Sequence, residues 1–136
     1  MSVDVWVVLG MFVWTAASFV LLFLLMAVDA LFTGYRDLAE IRDGNLAVTV
    51  RFVMKLGAQG VILARSIATS NELWQALLAS AVSFVILMLL ELAVRLLLRA
   101  SAKLDLDRGT KEGKANYGLF AGSLHLVGAL VLAASL

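Results

Sequence analysis

Lys55, Glu91 and His125 are charge-bearing or proton-carrying side chains set inside long apolar stretches of the chain. His125 is its only histidine. An imidazole titrates near neutral pH, so a histidine placed beside a carboxylate is a site where a proton can be taken up and handed on. A second set, Asp29, Arg51 and Arg95, lies closer to one end of the same stretches. A charge in hydrocarbon costs at least ~2.5 kcal/mol, so such groups are kept for a packing partner, a water-filled cavity or an ion path.

Other chemistries lack their residues. Without cysteine there is no disulfide, no thiolate metal site and no Cys nucleophile. There is no Gly-rich nucleotide loop, no nucleophile elbow and no His, Cys and acidic cluster at metal-ligand spacing. Asp105-x-Asp107-x-Gly109 resembles part of a calcium loop but lacks the closing bidentate Glu, and it reads as a solvated turn. Ser123 stands two residues from His125, on a different helix face, which argues against intramembrane hydrolysis. No enzyme activity, cofactor or metal is expected. The net charge of +1 provides no basic field for nucleic acid.

The elements that must position these residues are helices in a bilayer. With 62% hydrophobic residues, no proline and a mean hydropathy of +0.98, the 136-residue chain is too apolar for a soluble globule, whose apolar share is roughly half. Stretches of about 5–32, 46–68, 73–100 and 115–136 each reach the ~20 residues needed to cross ~30 Å of hydrocarbon. The expected fold is a single all-α, four-span transmembrane domain. The first stretch exceeds a signal-peptide core, and no Lys or Arg precedes it, so a cleaved leader is not expected. Arg36 and Arg42 mark the segment between the first two spans, and Lys103, Arg108, Lys111 and Lys114, with Arg99 at the border, mark the one between the last two. The outer segments carry none, so both charged segments are expected in the cytoplasm and both termini outside. Trp6 and Trp74 then fall at outer ends and Tyr35 and Tyr117 at inner ends, as an aromatic belt.

Depth groups the charges. Counted at ~1.5 Å per residue, Lys55, Glu91 and His125 lie roughly 14 to 15 Å from the inner face, and Asp29, Arg51 and Arg95 roughly 6 to 8 Å. A Lys55 and Glu91 salt bridge with His125 beside it is the simplest arrangement of the deeper layer. Glu91 and Arg95 are also i,i+4 neighbours, while Arg51 and Arg95 can snorkel to the inner headgroups and Arg65 to the outer ones. Within the spans Arg51, Lys55, Arg65 and Arg95 outnumber Asp29 and Glu91 by two, so a hydrated path would favour anions, or protons relayed through Glu91 and His125. At ~100° per residue Arg51, Lys55, Ile62 and Arg65 share an arc of roughly 80°, opposite Gly57, Gly60 and Ala64, which form a close-packing face. Gly118 and Gly122 form a second small-residue pair on the stripe of His125.

The stretch Asp43-Gly44-Asn45-Leu46-Ala47 returns as Glu112-Gly113-Lys114-Ala115-Asn116, each time after a charged segment and before a span. The halves therefore read as two parallel two-helix repeats. Gly44 and Gly113 suit the positive φ of a tight turn, and Asn45 suits a helix cap. Exposed amides at the starts of the second and fourth spans, near Arg51, Lys111 and Lys114, could hold an anionic lipid headgroup. With Glu40-Ile41-Arg42-Asp43-Gly44-Asn45-Leu46-Ala47 intact, the chain from about Leu31 onward resembles the "domain of unknown function 350" family. Its second copy has Lys114 where the pattern favours Asn. The resemblance implies a four-span protein of the bacterial inner membrane and supplies no activity.

Two classes of function stay open on these residues. One is a small ion channel or transporter, for anions or protons, made oligomeric because four helices rarely enclose a pore. The other is a noncatalytic scaffold or accessory subunit of a larger membrane complex, with envelope stress as one setting. The lipid bilayer is the expected surround in both.

The charge asymmetry makes the topology testable. Reporter fusions after Leu136 should give outer-face signals and fusions within 103–114 cytoplasmic ones. Cytoplasmic signals at Leu136 would overturn the orientation.

Overall fold

Each of the two charged segments folds into a short helix that turns directly into a long one. In the computed structural model, which describes residues 4–33 and 35–136, the order is α1 (Val5–Ala30), α2 (Asp37–Arg42), α3 (Leu46–Thr69), α4 (Leu73–Ser101), α5 (Leu106–Lys111) and α6 (Ala115–Ala134). Among the described residues there is no strand. α1, α3, α4 and α6 are long and apolar enough to cross a membrane, so the chain is an all-α, multi-pass membrane protein with four spanning helices.

The two junctions have the same local geometry. Gly44, at φ +86°, and Gly113, at φ +82°, end α2 and α5 in the left-handed region. Their amides reach back to Ile41 O and Thr110 O, and the next amides, of Asn45 and Lys114, reach Glu40 O and Gly109 O. This is the Schellman closure, which favours glycine because a Cβ is strained at positive φ. Asn45 and Lys114 then serve as the N-terminal caps of α3 and α6. Asn45 Oδ1 accepts from the Val48 amide at 3.2 Å, whereas the Lys114 side chain makes no cap bond. Asn45 Nδ2 also lies 3.2 and 3.0 Å from the Thr110 and Lys111 carbonyls, so one residue caps α3 and ties it to the end of α5.

α3 is the central helix. It packs most extensively on α6 and next on α4, burying Ala58 and Ile62 against Leu87 and Ala129. The α3 and α6 contact is close because Gly118 has no side chain: a Cβ there would lie 2.2 Å from the Ala47 carbonyl oxygen. At Gly122 a Cβ would lie 2.7 Å from Met54 Sδ. Gly57 and Gly60 behave differently from the sequence expectation, since a Cβ at either meets nothing within 4 Å. They form no close-packing face within this chain, because α3 turns its charged side, not its glycine side, toward α4 and α6. α1 is peripheral and buries only Leu25, Met26 and Asp29, all in its last two turns.

These spacings predict opposite responses to one methyl group. Gly118→Ala should lower thermal stability in detergent by about 1–3 kcal/mol through overpacking on backbone. Gly57→Ala should be neutral or stabilising, by up to ~1 kcal/mol, through helix propensity. Equal melting temperatures for the two variants would contradict the α3 and α6 packing.

Candidate functional site

The end of the bundle that carries α2 and α5 is filled with charge. Arg51, on the second turn of α3, is 1% exposed. Its Nη1 donates to Asp107 Oδ1 at 2.7 Å and to the Tyr35 hydroxyl at 2.9 Å, and its guanidinium lies 5.9 Å from the Tyr35 ring centre. Arg95 of α4 donates to both oxygens of the same Asp107 at 3.1 Å. Burial alone would raise the Asp107 pKa, but the two guanidinium groups outweigh it and hold the carboxyl below its ordinary value. Tyr35 is pushed the other way, because burial disfavours its phenolate more than Arg51 favours it.

A second pair lies beside this cluster. Lys55 Nζ donates to Asp29 Oδ2 at 2.7 Å, with both side chains almost fully buried between α3 and α1. Lys55 therefore pairs across the two sequence-derived layers and not with Glu91. The reason is directional: helical side chains lean toward their own N-terminus, so the long Lys55 arm reaches toward the α2 and α5 end, where Asp29 sits. Glu91 belongs to α4, which runs the opposite way, and it leans toward His125. Its Oε2 bonds His125 Nδ1, and its Oε1 lies 3.7 Å from Arg51 Nη2, an ion-pair distance without a hydrogen bond.

The string continues past His125. Its Nε2 lies 3.3 Å from Gln59 Nε2 on α3. With the amide in this orientation Gln59 donates to Nε2, which puts the ring's own proton on Nδ1, donated to Glu91. Gln59 Oε1 and Ser80 Oγ are buried without a hydrogen-bond partner. Gln59, Ser66, Ser80 and Ser83 are all buried polar residues of α3 and α4, and Ser66 and Ser80 lie toward the connection between these helices. From Asp107 through Arg51, Glu91 and His125 to Gln59, neighbouring side chains touch in sequence.

Several sequence expectations change here. Arg51 and Arg95 do not snorkel outward; both are buried and paired inward. Glu91 and Arg95 form no i,i+4 pair, because Asp107 takes Arg95 bidentately. The Asp105 to Gly109 segment is not a solvated turn. It becomes α5, capped by Asp105 Oδ1 on the Arg108 amide, with Asp107 turned into the bundle. Tyr35 is a core residue and not part of an aromatic belt. Arg65 is exposed at the other end, 3.3 Å from the Leu136 carbonyl. The excess of two cations disappears, since Arg65 lies exposed at the far end and Asp107, from outside the spans, adds a third carboxylate against Arg51, Lys55 and Arg95. Asn45 satisfies the Val48 amide, and Lys114 pairs with Glu112 at 3.4 Å, which leaves Arg51 no role in a headgroup site at the start of α3. Among the described residues no group of acidic or His side chains is arranged for a metal.

The model of the Domain of Unknown Function (DUF350) family matches residues 3–136. The chain belongs to this family. The match takes in α1, ahead of the Leu31 boundary suggested by the short motifs. No curated protein and no solved structure matches the chain.

Asp107, Tyr35 and Gln59 were not singled out by sequence reasoning as site residues. One signal pointed toward Asp107: two unpaired arginines inside apolar helices require anions, and the adjoining segments are the only source of more of them. Gln59 had a weaker signal, one helical turn from Lys55 on the charged side of α3.

The pairing makes a direct test. Asp29→Asn or Lys55→Met alone should cost about 3–5 kcal/mol by leaving one buried charge uncompensated. Combining them should recover part of the loss, whereas Glu91→Gln combined with Lys55→Met should add. A double-mutant cycle in detergent that couples Lys55 to Glu91 and not to Asp29 would contradict the geometry.

Proposed function

We propose that this protein passes protons through the bilayer by way of Glu91 and His125, as a small proton channel or the proton-handling part of a transporter. The observation that carries this reading is the buried string of polar side chains from Arg51 through Glu91 and His125 to Gln59, hydrogen-bonded from Glu91 onward. None of the described cavities is lined by Lys55, Glu91 or His125. A proton can hop along hydrogen-bonded groups without an open bore, while a chloride-sized anion cannot. The loss of the cation excess removes the main argument for anions as well.

Gln59 serves as the switch. While His125 is neutral, the Gln59 amide donates to Nε2. When a proton arrives, both ring nitrogens become donors, Nδ1 to Glu91 and Nε2 to an amide oxygen presented by a half-turn of Gln59. Glu91 stabilises the imidazolium, and Arg51, balanced by Asp107, separates this pair from the α5 end.

The proposed setting is the bacterial inner membrane, as a homo-oligomer or as a subunit of a larger complex. The open apolar length of α1 and the uncovered Gly57 and Gly60 side of α3 support further helix contacts. A second reading, a noncatalytic scaffold or accessory subunit, is favoured by the close balance of the Lys55 and Asp29 and the Arg95 and Asp107 pairs, which also serve to hold helices together.

Proteoliposomes under a pH gradient separate the two. Wild-type protein should acidify the lumen well above empty vesicles, with Glu91→Gln and His125→Asn slowing this by ~10²-fold, the scale of a lost proton-transfer group. The exposed Arg42→Gln should conduct normally. Flux no greater than in empty vesicles, from protein that is folded by circular dichroism, would sink the proton reading and leave the scaffold.

A further inference from the structure

At the α2 and α5 end of the bundle, on the side of α1, a groove of about 600 Å³ opens between α1, α2 and α3. Phe23, Met26, Ala27 and Phe52 give it an apolar floor, and Arg36 and Asp37 stand together at its rim. The volume is within the ~300–1,000 Å³ usual for a bound small molecule. Asp37 is 9% exposed, and among the described residues it has neither a hydrogen bond nor an ion-pair partner. Its carboxylate oxygens are not sealed within the protein, so a donor entering the groove can pair with them. Arg36 beside it is exposed and likewise has no acidic partner among the described residues.

We propose that this groove binds an ethanolamine phospholipid, with its ammonium on Asp37, its phosphate on Arg36 and one acyl chain along Phe23, Met26, Ala27 and Phe52. An ammonium brings N–H donors and a positive charge to the carboxylate, and a guanidinium suits phosphate. The order of charges selects among lipids. A purely anionic headgroup would bring a second negative charge to Asp37, and a choline headgroup has no N–H to donate. Burial pushes the Asp37 carboxyl up, and nearby Asp29 adds to this, while Lys55 and Arg51 only partly offset it.

Native mass spectrometry of the delipidated full-length protein in detergent tests this with defined lipids. Phosphatidylethanolamine should be retained on the order of tenfold better than phosphatidylglycerol or phosphatidylcholine of the same acyl chains, the scale of one charge-assisted hydrogen bond. Asp37→Asn should abolish the preference, and Arg36→Ala should weaken phosphatidylethanolamine and phosphatidylglycerol alike. Water-soluble glycerophosphoethanolamine should not bind, because it lacks the chain that fills the groove. Equal retention of the three lipids, a preference for phosphatidylglycerol, or binding of the soluble headgroup alone would each overturn the proposal. The wild-type comparison decides by itself if Asp37→Asn fails to fold.

Discussion

A guanidinium sealed inside a bilayer-spanning helix must find anions, and Arg51 draws the rest of the polar core around itself. It takes Asp107 from α5, the Tyr35 hydroxyl from the segment after α1, and the charge of Glu91 from α4. Those partners come from three separate parts of the chain, so satisfying one cation fixes where each part must lie. α5 folds back over the bundle end because Asp107 is needed there, and it is held by Arg95 and by Asn45 bonds to its last carbonyls. Removing Arg51 would leave Asp107 with one partner and Glu91 without its ion-pair contact to α3.

The same network determines which function the core suits. Asp29 and Asp107 take the direct hydrogen bonds of Lys55, Arg51 and Arg95, which leaves Glu91 hydrogen-bonded to a group that can change its charge, His125. Such a pair at the middle of a tightly packed bundle is suited to protons and poorly suited to larger ions. Gln59 Oε1 beside the pair, and Ser80 Oγ further along α4, are buried without a hydrogen-bond partner. They lie on the side of His125 away from Asp107, where an onward route to the opposite face would have to run.

Features governed by local rules were legible in the sequence. Hydropathy over a helix length marked the four spans, and the Gly44 and Gly113 turns followed from the backbone freedom that their neighbours required. Partner choice was not legible. Depth counting placed Lys55 with Glu91, but depth measures Cα positions, and a four-carbon side chain leaning toward its helix N-terminus acts about a turn away. Tyr35 and Asp107 looked like interfacial residues because they adjoin charged segments; only the tertiary path shows that those segments turn inward. Glycine spacing was ambiguous for a similar reason. Gly118 and Gly57 both occur in helices on small-residue stripes, yet only Gly118 faces another backbone. Periodicity locates a face without saying what covers it.

Because the chain has a single histidine, one spectrum can interrogate the center of the network. Solid-state NMR of ¹⁵N-histidine, ¹³C-glutamate protein in lipid bilayers reads the protonation of each ring nitrogen and its proximity to a carboxylate. The account predicts a protonated Nδ1 in dipolar contact with the Glu91 carboxyl carbon. A His125 ring with no carboxylate coupling would contradict it.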